Sequence, residues 1–135
     1  MISELTQRFS PHALMVLRIM AGFMFWQHGI QKFGFLEGTA MQFPGLLWFA
    51  AVLEVSGSLL IVLGLFTRPV ALVLLGEMAV AYSIAHVPAG FWPILNGGEP
   101  AFLFFAIYLT LLTSGPGRAS VDGCIAKRFG SRWWM

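Results

Sequence analysis

A single cysteine, Cys124, excludes a disulfide within one chain and any C-x-x-C thiol relay, because both need a second sulfur. Charge is scarce too: Asp, Glu, Lys and Arg make up 10% of the residues, against roughly a quarter of an ordinary soluble domain. The formal balance of +2 supplies no basic field, so no nucleic-acid partner is expected. A Walker loop, a dinucleotide fingerprint and an HExxH helix are all missing, which leaves phosphate cradling, nicotinamide chemistry and zinc hydrolysis without a motif. Ser, His and acidic residues occur, but not with the spacing of a nucleophilic triad. No metal site is expected.

What is present in quantity is hydrocarbon. Apolar residues account for 58% of the chain, and a mean hydropathy of +0.79 marks a membrane protein. A length of 135 residues holds about four spans with short loops and no separate soluble domain. Apolar runs fall at about 13–33, 45–66, 68–87 and 99–114, followed by a tail over 115–135. Ser10-Pro11 suits an N-cap and first-turn proline ahead of the first run. The fourth run is short for a hydrocarbon core and can borrow length from Asn96-Gly97-Gly98. Lipid forces each run into a helix, since only helices and closed barrels satisfy every backbone group there, and barrel-like alternation is missing. The expected fold is an all-α integral membrane four-helix bundle over residues 1–135. Arg18 interrupts the first run and no clear small-residue cleavage site follows it, so an uncleaved first span is expected rather than a secretory leader.

Basic residues set the expected orientation. Arg8 precedes the first run, Arg68 occupies the short second link, and Arg118, Lys127, Arg128 and Arg132 follow the fourth. The other two links hold Lys32, Glu37 and Glu99. By the positive-inside rule both termini are cytoplasmic. Trp48 and Trp92 then belong to an outer aromatic belt, whereas Trp133 and Trp134 in the tail say less.

Arg18, Glu54 and Glu77 each lie within an apolar run, where an ionisable group costs several kcal/mol unless it faces a partner or water. Counted along ideal helices, Arg18 lies about 9 Å and Glu77 about 12 Å from the cytoplasmic ends, which predicts a buried Arg18–Glu77 ion pair, structural or mechanistic. Glu54 enters from the outer side by about 13 Å and approaches the level of His28 and Lys32. These three residues form the candidate ligand or proton pocket, with snorkelling to the headgroups as the plainer role for His28, Lys32, Gln27 and Gln31. Phase sets Gly22, Phe25, Gly29 and Lys32 on the face of Arg18, and Ala50, Ala51, Gly57 and Ser58 around Glu54, so both faces are expected to be interior. His86 follows Glu77 by nine positions, which places it on the opposite helix face, at the membrane interface, unless Pro88 distorts the turn, and argues against a haem held between His28 and His86.

Arg18, His28-Gly29-Ile30-Gln31-Lys32-Phe33, Leu53-Glu54-Val55-Ser56-Gly57, Leu63-Gly64-Leu65-Phe66-Thr67-Arg68, Glu77 and Gly115-Pro116-Gly117-Arg118-Ala119-Ser120-Val121-Asp122 occur in the order and placement of the DoxX family, which this chain resembles over nearly its whole length. That resemblance implies a small four-helix protein of the bacterial cytoplasmic membrane, with relatives tied to thiosulfate:quinone oxidoreductase and to complexes handling thiol and oxidative stress. A quinone or a soluble or membrane oxidoreductase subunit is the implied partner, since this chain has no redox cysteine pair of its own. Whether the chain is itself an enzyme stays open. The alternatives are a non-enzymatic binding or assembly module, as a homo-oligomer or with a partner, and a small-molecule or proton pathway.

Overall fold

The computed structural model describes residues 2–130; Arg132, Trp133 and Trp134 lie outside them. Every regular element among the described residues is helical: α1 (Ile2–Gln31), α2 (Leu46–Leu63), α3 (Thr67–Ala81), the single turn α4 (Pro93–Asn96), α5 (Glu99–Ser114) and α6 (Val121–Phe129). A π turn, Tyr82–His86, and a 3-10 turn, Val87–Ala89, extend α3. The segments Glu4–Gln31, Leu46–Leu63 and Thr67–Ala89 are long and apolar enough to cross a membrane; α5 is apolar but shorter.

Helix α1 starts well before the apolar run, and Pro11 lies inside it rather than at its first turn. Proline already has a helical φ and forfeits a single ladder hydrogen bond, while the residues before it are good helix formers with Glu4 in the first turn. The second helix ends on Gly64, whose φ of +66° lets its N–H and that of Leu65 return to Ile61 and Leu60. The fourth run takes nothing from Asn96-Gly97-Gly98: α4 is a separate turn that Gly97, at φ +70°, divides from α5. The tail, to which no helix was assigned from sequence, holds α6, capped by Ser120, whose Oγ accepts from the Gly123 N–H at 3.1 Å.

Packing follows the small residues. A β-carbon on Gly29 would meet the Val55 nitrogen at 2.9 Å, and one on Gly22 would meet the Val62 side chain at 2.6 Å, so α1 and α2 approach closely along the expected face. Helix α3 packs on α5, α2 bridges to α3, and α1 meets α5 mainly through the rings of Phe25, His28, Phe104 and Tyr108. Between them lies a core of Phe25, Ile61, Leu74, Met78, Phe104 and Tyr108. Most large apolar side chains point outward, among them Met20, Phe23, Leu59, Val73 and Leu103, as a lipid-facing surface requires.

Candidate functional site

The chain leaves α1 at Gln31 and turns back, with the Lys32 and Phe33 N–H groups bonded to the carbonyls of Gly29 and Ile30. This turn aims the Lys32 stem along α2, and its ammonium donates to Glu54 Oε1 in an ion pair. Gly29 makes the approach feasible, since a β-carbon there would lie 3.0 Å from that of Glu54. Glu54 is 3% exposed, and its second oxygen, Oε2, is buried with no hydrogen-bond partner. Ser58, one turn along α2, satisfies its own hydroxyl on the Glu54 carbonyl and offers nothing to the carboxylate.

Glu77 belongs to the same cluster. Both its carboxyl oxygens are buried without hydrogen-bond partners, and it shares with Lys32 and Glu54 an apolar groove of about 300 Å³ between α2 and α3. Two carboxyl groups thus face one ammonium. The Tyr108 hydroxyl is also buried and unpartnered, its ring held by Phe25 and Phe104. A cluster of this kind can accept hydrogen bonds and hold or pass a proton.

On its other side Glu54 lines a cavity of about 240 Å³ with Lys32, His28, His86, Phe25 and Phe104. The His28 ring meets the Phe104 edge at 5.7 Å. His86 corrects the sequence reading, for it faces this cavity rather than the opposite side. The π turn inserts an extra residue per turn and shifts the phase of everything after it. His86 Nδ1 lies 3.0 Å from the Asn96 carbonyl oxygen. Asn96 itself pins the loop, donating to the Gly90 carbonyl at 2.8 Å and accepting from the Gly98 N–H at 2.8 Å. At about 240 Å³ the cavity is too small for a haem. No group of three or more His, Cys, Asp or Glu side chains gathers for a metal among the described residues. Gln27 is half-buried and Gln31 exposed.

Arg18 and Glu77 do not pair, which overturns the expected ion pair. Arg18 is 1% exposed and donates from Nη2 to the Ala119 carbonyl at 2.9 Å, against Gly64 at the end of α2. Glu77 lies ten residues into α3, about 15 Å along the bundle from that end. The depth count failed because it began at Ala13, whereas Arg18 is level with the α2–α3 turn.

That turn is closed by a residue singled out only as part of a motif. Asp122 is fully buried; its two carboxylate oxygens accept from the Phe66 and Thr67 N–H groups, each at 2.8 Å, and its own N–H donates to the Gly64 carbonyl at 2.9 Å. The carboxylate therefore caps α3 from another element, where no side chain of α3 does so. The Arg118 N–H reaches the Pro11 carbonyl at 2.9 Å, and Arg68 Nη1 the Leu112 carbonyl at 2.7 Å. The GPGRASVD stretch is a clasp joining α1, α2 and α3 at the basic end. An acidic residue opening an otherwise basic short helix was the available signal.

Comparison with known proteins places the chain in a family. The DoxX family model matches residues 13–87. An uncharacterized protein of Haemophilus influenzae is 38% identical over 90% of this chain and 97% of its own length. An uncharacterized membrane protein of Mycobacterium tuberculosis is 29% identical over 87% of this chain and 84% of its own. The Bacillus subtilis protein named "Putative oxidoreductase CatD" is 27% identical over 84% of this chain and 87% of its own. No solved structure matches with significance. With the family model covering more than half the chain, and a relative above 30% identity spanning nearly all of it, this membrane protein belongs to the DoxX family.

Proposed function

We propose that the protein is a membrane subunit or accessory protein of a quinone-linked or thiol and oxidative-stress oxidoreductase system, and that Glu54, His28 and Lys32 hold the ring of a quinone. The observation that carries this reading is Glu54, whose Oε2 is a buried acceptor without a partner and whose side chain lines a cavity together with two imidazoles. A buried polar atom left unpaired costs about 1 to 3 kcal/mol, and a ligand bearing hydroxyl groups would remove that cost. The residues fit such a group: His28 and His86 can donate to or accept from ring oxygens, Phe25 and Phe104 supply the apolar faces, and Lys32 holds the Glu54 charge in place. A bound quinone would supply reversible two-electron, two-proton chemistry. The chain's own part is to hold the ring, exclude water and keep a proton acceptor at Glu54 Oε2, with Glu77 behind it as a second carboxyl. One relative's name speaks of an oxidoreductase, which favours the same class.

The same reading has four spans in the bacterial cytoplasmic membrane, α5 being the fourth, with the whole chain acting as one domain and both termini cytoplasmic. It is supported by the gathering of Arg68, Arg118 and α6, with Lys127 and Arg128, at one end of the bundle. Trp48 lies in the first turn of α2 and Trp92 at the N-cap of α4, away from that end.

The test is a strain lacking this gene, complemented with wild type or Glu54→Gln and challenged with a thiol oxidant. The Gln variant keeps the shape of the side chain and removes its charge. It is expected in the membrane at close to normal amount without restoring resistance; full resistance from Glu54→Gln would make Glu54 structural.

A further inference from the structure

The head pocket has a side door. Helices α1 and α5 meet through the rings of Phe25, His28, Phe104 and Tyr108 in the core, and outside that contact runs a groove of about 540 Å³ lined by Leu17, Met20, Met24, Leu103 and Ile107, with His28 and Glu99 at one end. From Leu17 to His28 the groove extends about 16 Å along α1. Its walls are apolar where they face lipid, Leu103 being 62%, Met20 60% and Met24 53% exposed, and methionine adapts its shape to what lies against it. His28, Pro100 and Phe104 line both this groove and the polar cavity holding Glu54. The groove is thus a lipid-facing channel that ends on a buried polar pocket.

Resting on the quinone reading above, we infer that the ligand is a prenyl-tailed one that enters sideways from the bilayer between α1 and α5, and that its tail lies in this groove while its ring turns at His28 into the Glu54 pocket. The α2–α3 groove is the poorer tail site. Lys32, Glu54 and Glu77 all contribute to its lining, so a hydrocarbon laid there would strip polar groups of whatever solvates them. The α1–α5 groove keeps its polar groups at the pocket end, where an amphiphile's head belongs. A tail in this position adds van der Waals contact along the groove walls, which is what can distinguish it from the lipid hydrocarbon it leaves.

The test is calorimetric titration of the purified full chain in detergent, under reducing conditions, with two probes, a benzoquinol carrying two prenyl units, whose hydroxyl groups can donate to Glu54, and the same ring without a tail. Wild type is expected to bind the tailed probe at least about tenfold more tightly, through packing contacts along the groove. Met24→Trp and Leu103→Trp, on the two walls of the groove, are expected to erase that preference and leave the tail-free ring unchanged. Phe102→Trp, whose position lines a different surface of α5, is expected to change neither. Equal affinity of wild type for both probes overturns the groove assignment without any variant. So do groove variants that bind the tailed probe normally while Glu54→Gln weakens both probes, a result that leaves the ring site standing. Groove variants that keep wild-type binding but shift the native mass from dimer to monomer would make the groove a contact between copies, also against the inference. Failure of wild type to bind either probe overturns the ring site itself.

Discussion

At the residue scale, the site turns on which buried charges have partners. Lys32 and Glu54 are joined across the α1–α2 contact, and removing the ammonium strands a carboxylate that is 3% exposed. Lys32→Met is therefore expected to cost about 3 kcal/mol, and the double change Lys32→Met with Glu54→Leu less than the sum of the single changes. Arg18 and Glu77 behave oppositely. Each is buried in its own surroundings at different depths, so their losses should add within about 0.5 kcal/mol. Detergent unfolding of the two cycles decides both points; coupling between Arg18 and Glu77 of more than about 1 kcal/mol would contradict the separation of the two ends. The meeting of Glu54, His28 and Lys32 at one cavity was legible from phase and depth because Glu54 and His28 sit on regular helix and Lys32 directly follows the last residue of α1. His86 was not, since a π turn leaves no mark in a hydrophobic pattern.

At the level of elements, the apolar runs located the helices and missed what joins them. Lipid dictates a helix wherever hydrocarbon persists, so α2, α3 and α5 were readable from composition alone. Nothing of that kind governs the ends. The polar start of α1 is helical because its local propensity is good and one proline does not break it. The clasp depends on a carboxylate reaching backbone N–H groups 55 and 56 residues away in sequence, which no local pattern encodes. Asp122→Ala removes both hydrogen bonds to the start of α3 and should cost about 2 to 3 kcal/mol, with Asp122→Asn losing less because one oxygen acceptor remains. Gly64→Ala should do at least as much harm: its β-carbon would fall 1.8 Å from Arg18 Nη1, at a φ of +66°. Thermal unfolding of the detergent-solubilised variants checks this, and an Asp122→Ala protein as stable as wild type would remove the clasp from the account.

Over the whole molecule, the bundle has two ends with different work. Arg18, Gly64 and Asp122 lock the basic end, while Lys32, Glu54 and Glu77 leave acceptors open nearer the other, between two apolar grooves. A reporter fused after Gly130 is expected to report from the cytoplasm, and a periplasmic signal would invert the bundle. The central claim is that the open end holds a quinone at Glu54. Mass spectrometry of the solvent extract from protein purified in mild detergent tests it most directly, with wild type and Glu54→Gln compared at equal folded amounts. The account predicts quinone retained with wild type, approaching one per chain, and largely lost from Glu54→Gln. Equal quinone in both, or none in wild type beyond that carried by an unrelated membrane protein, would contradict it.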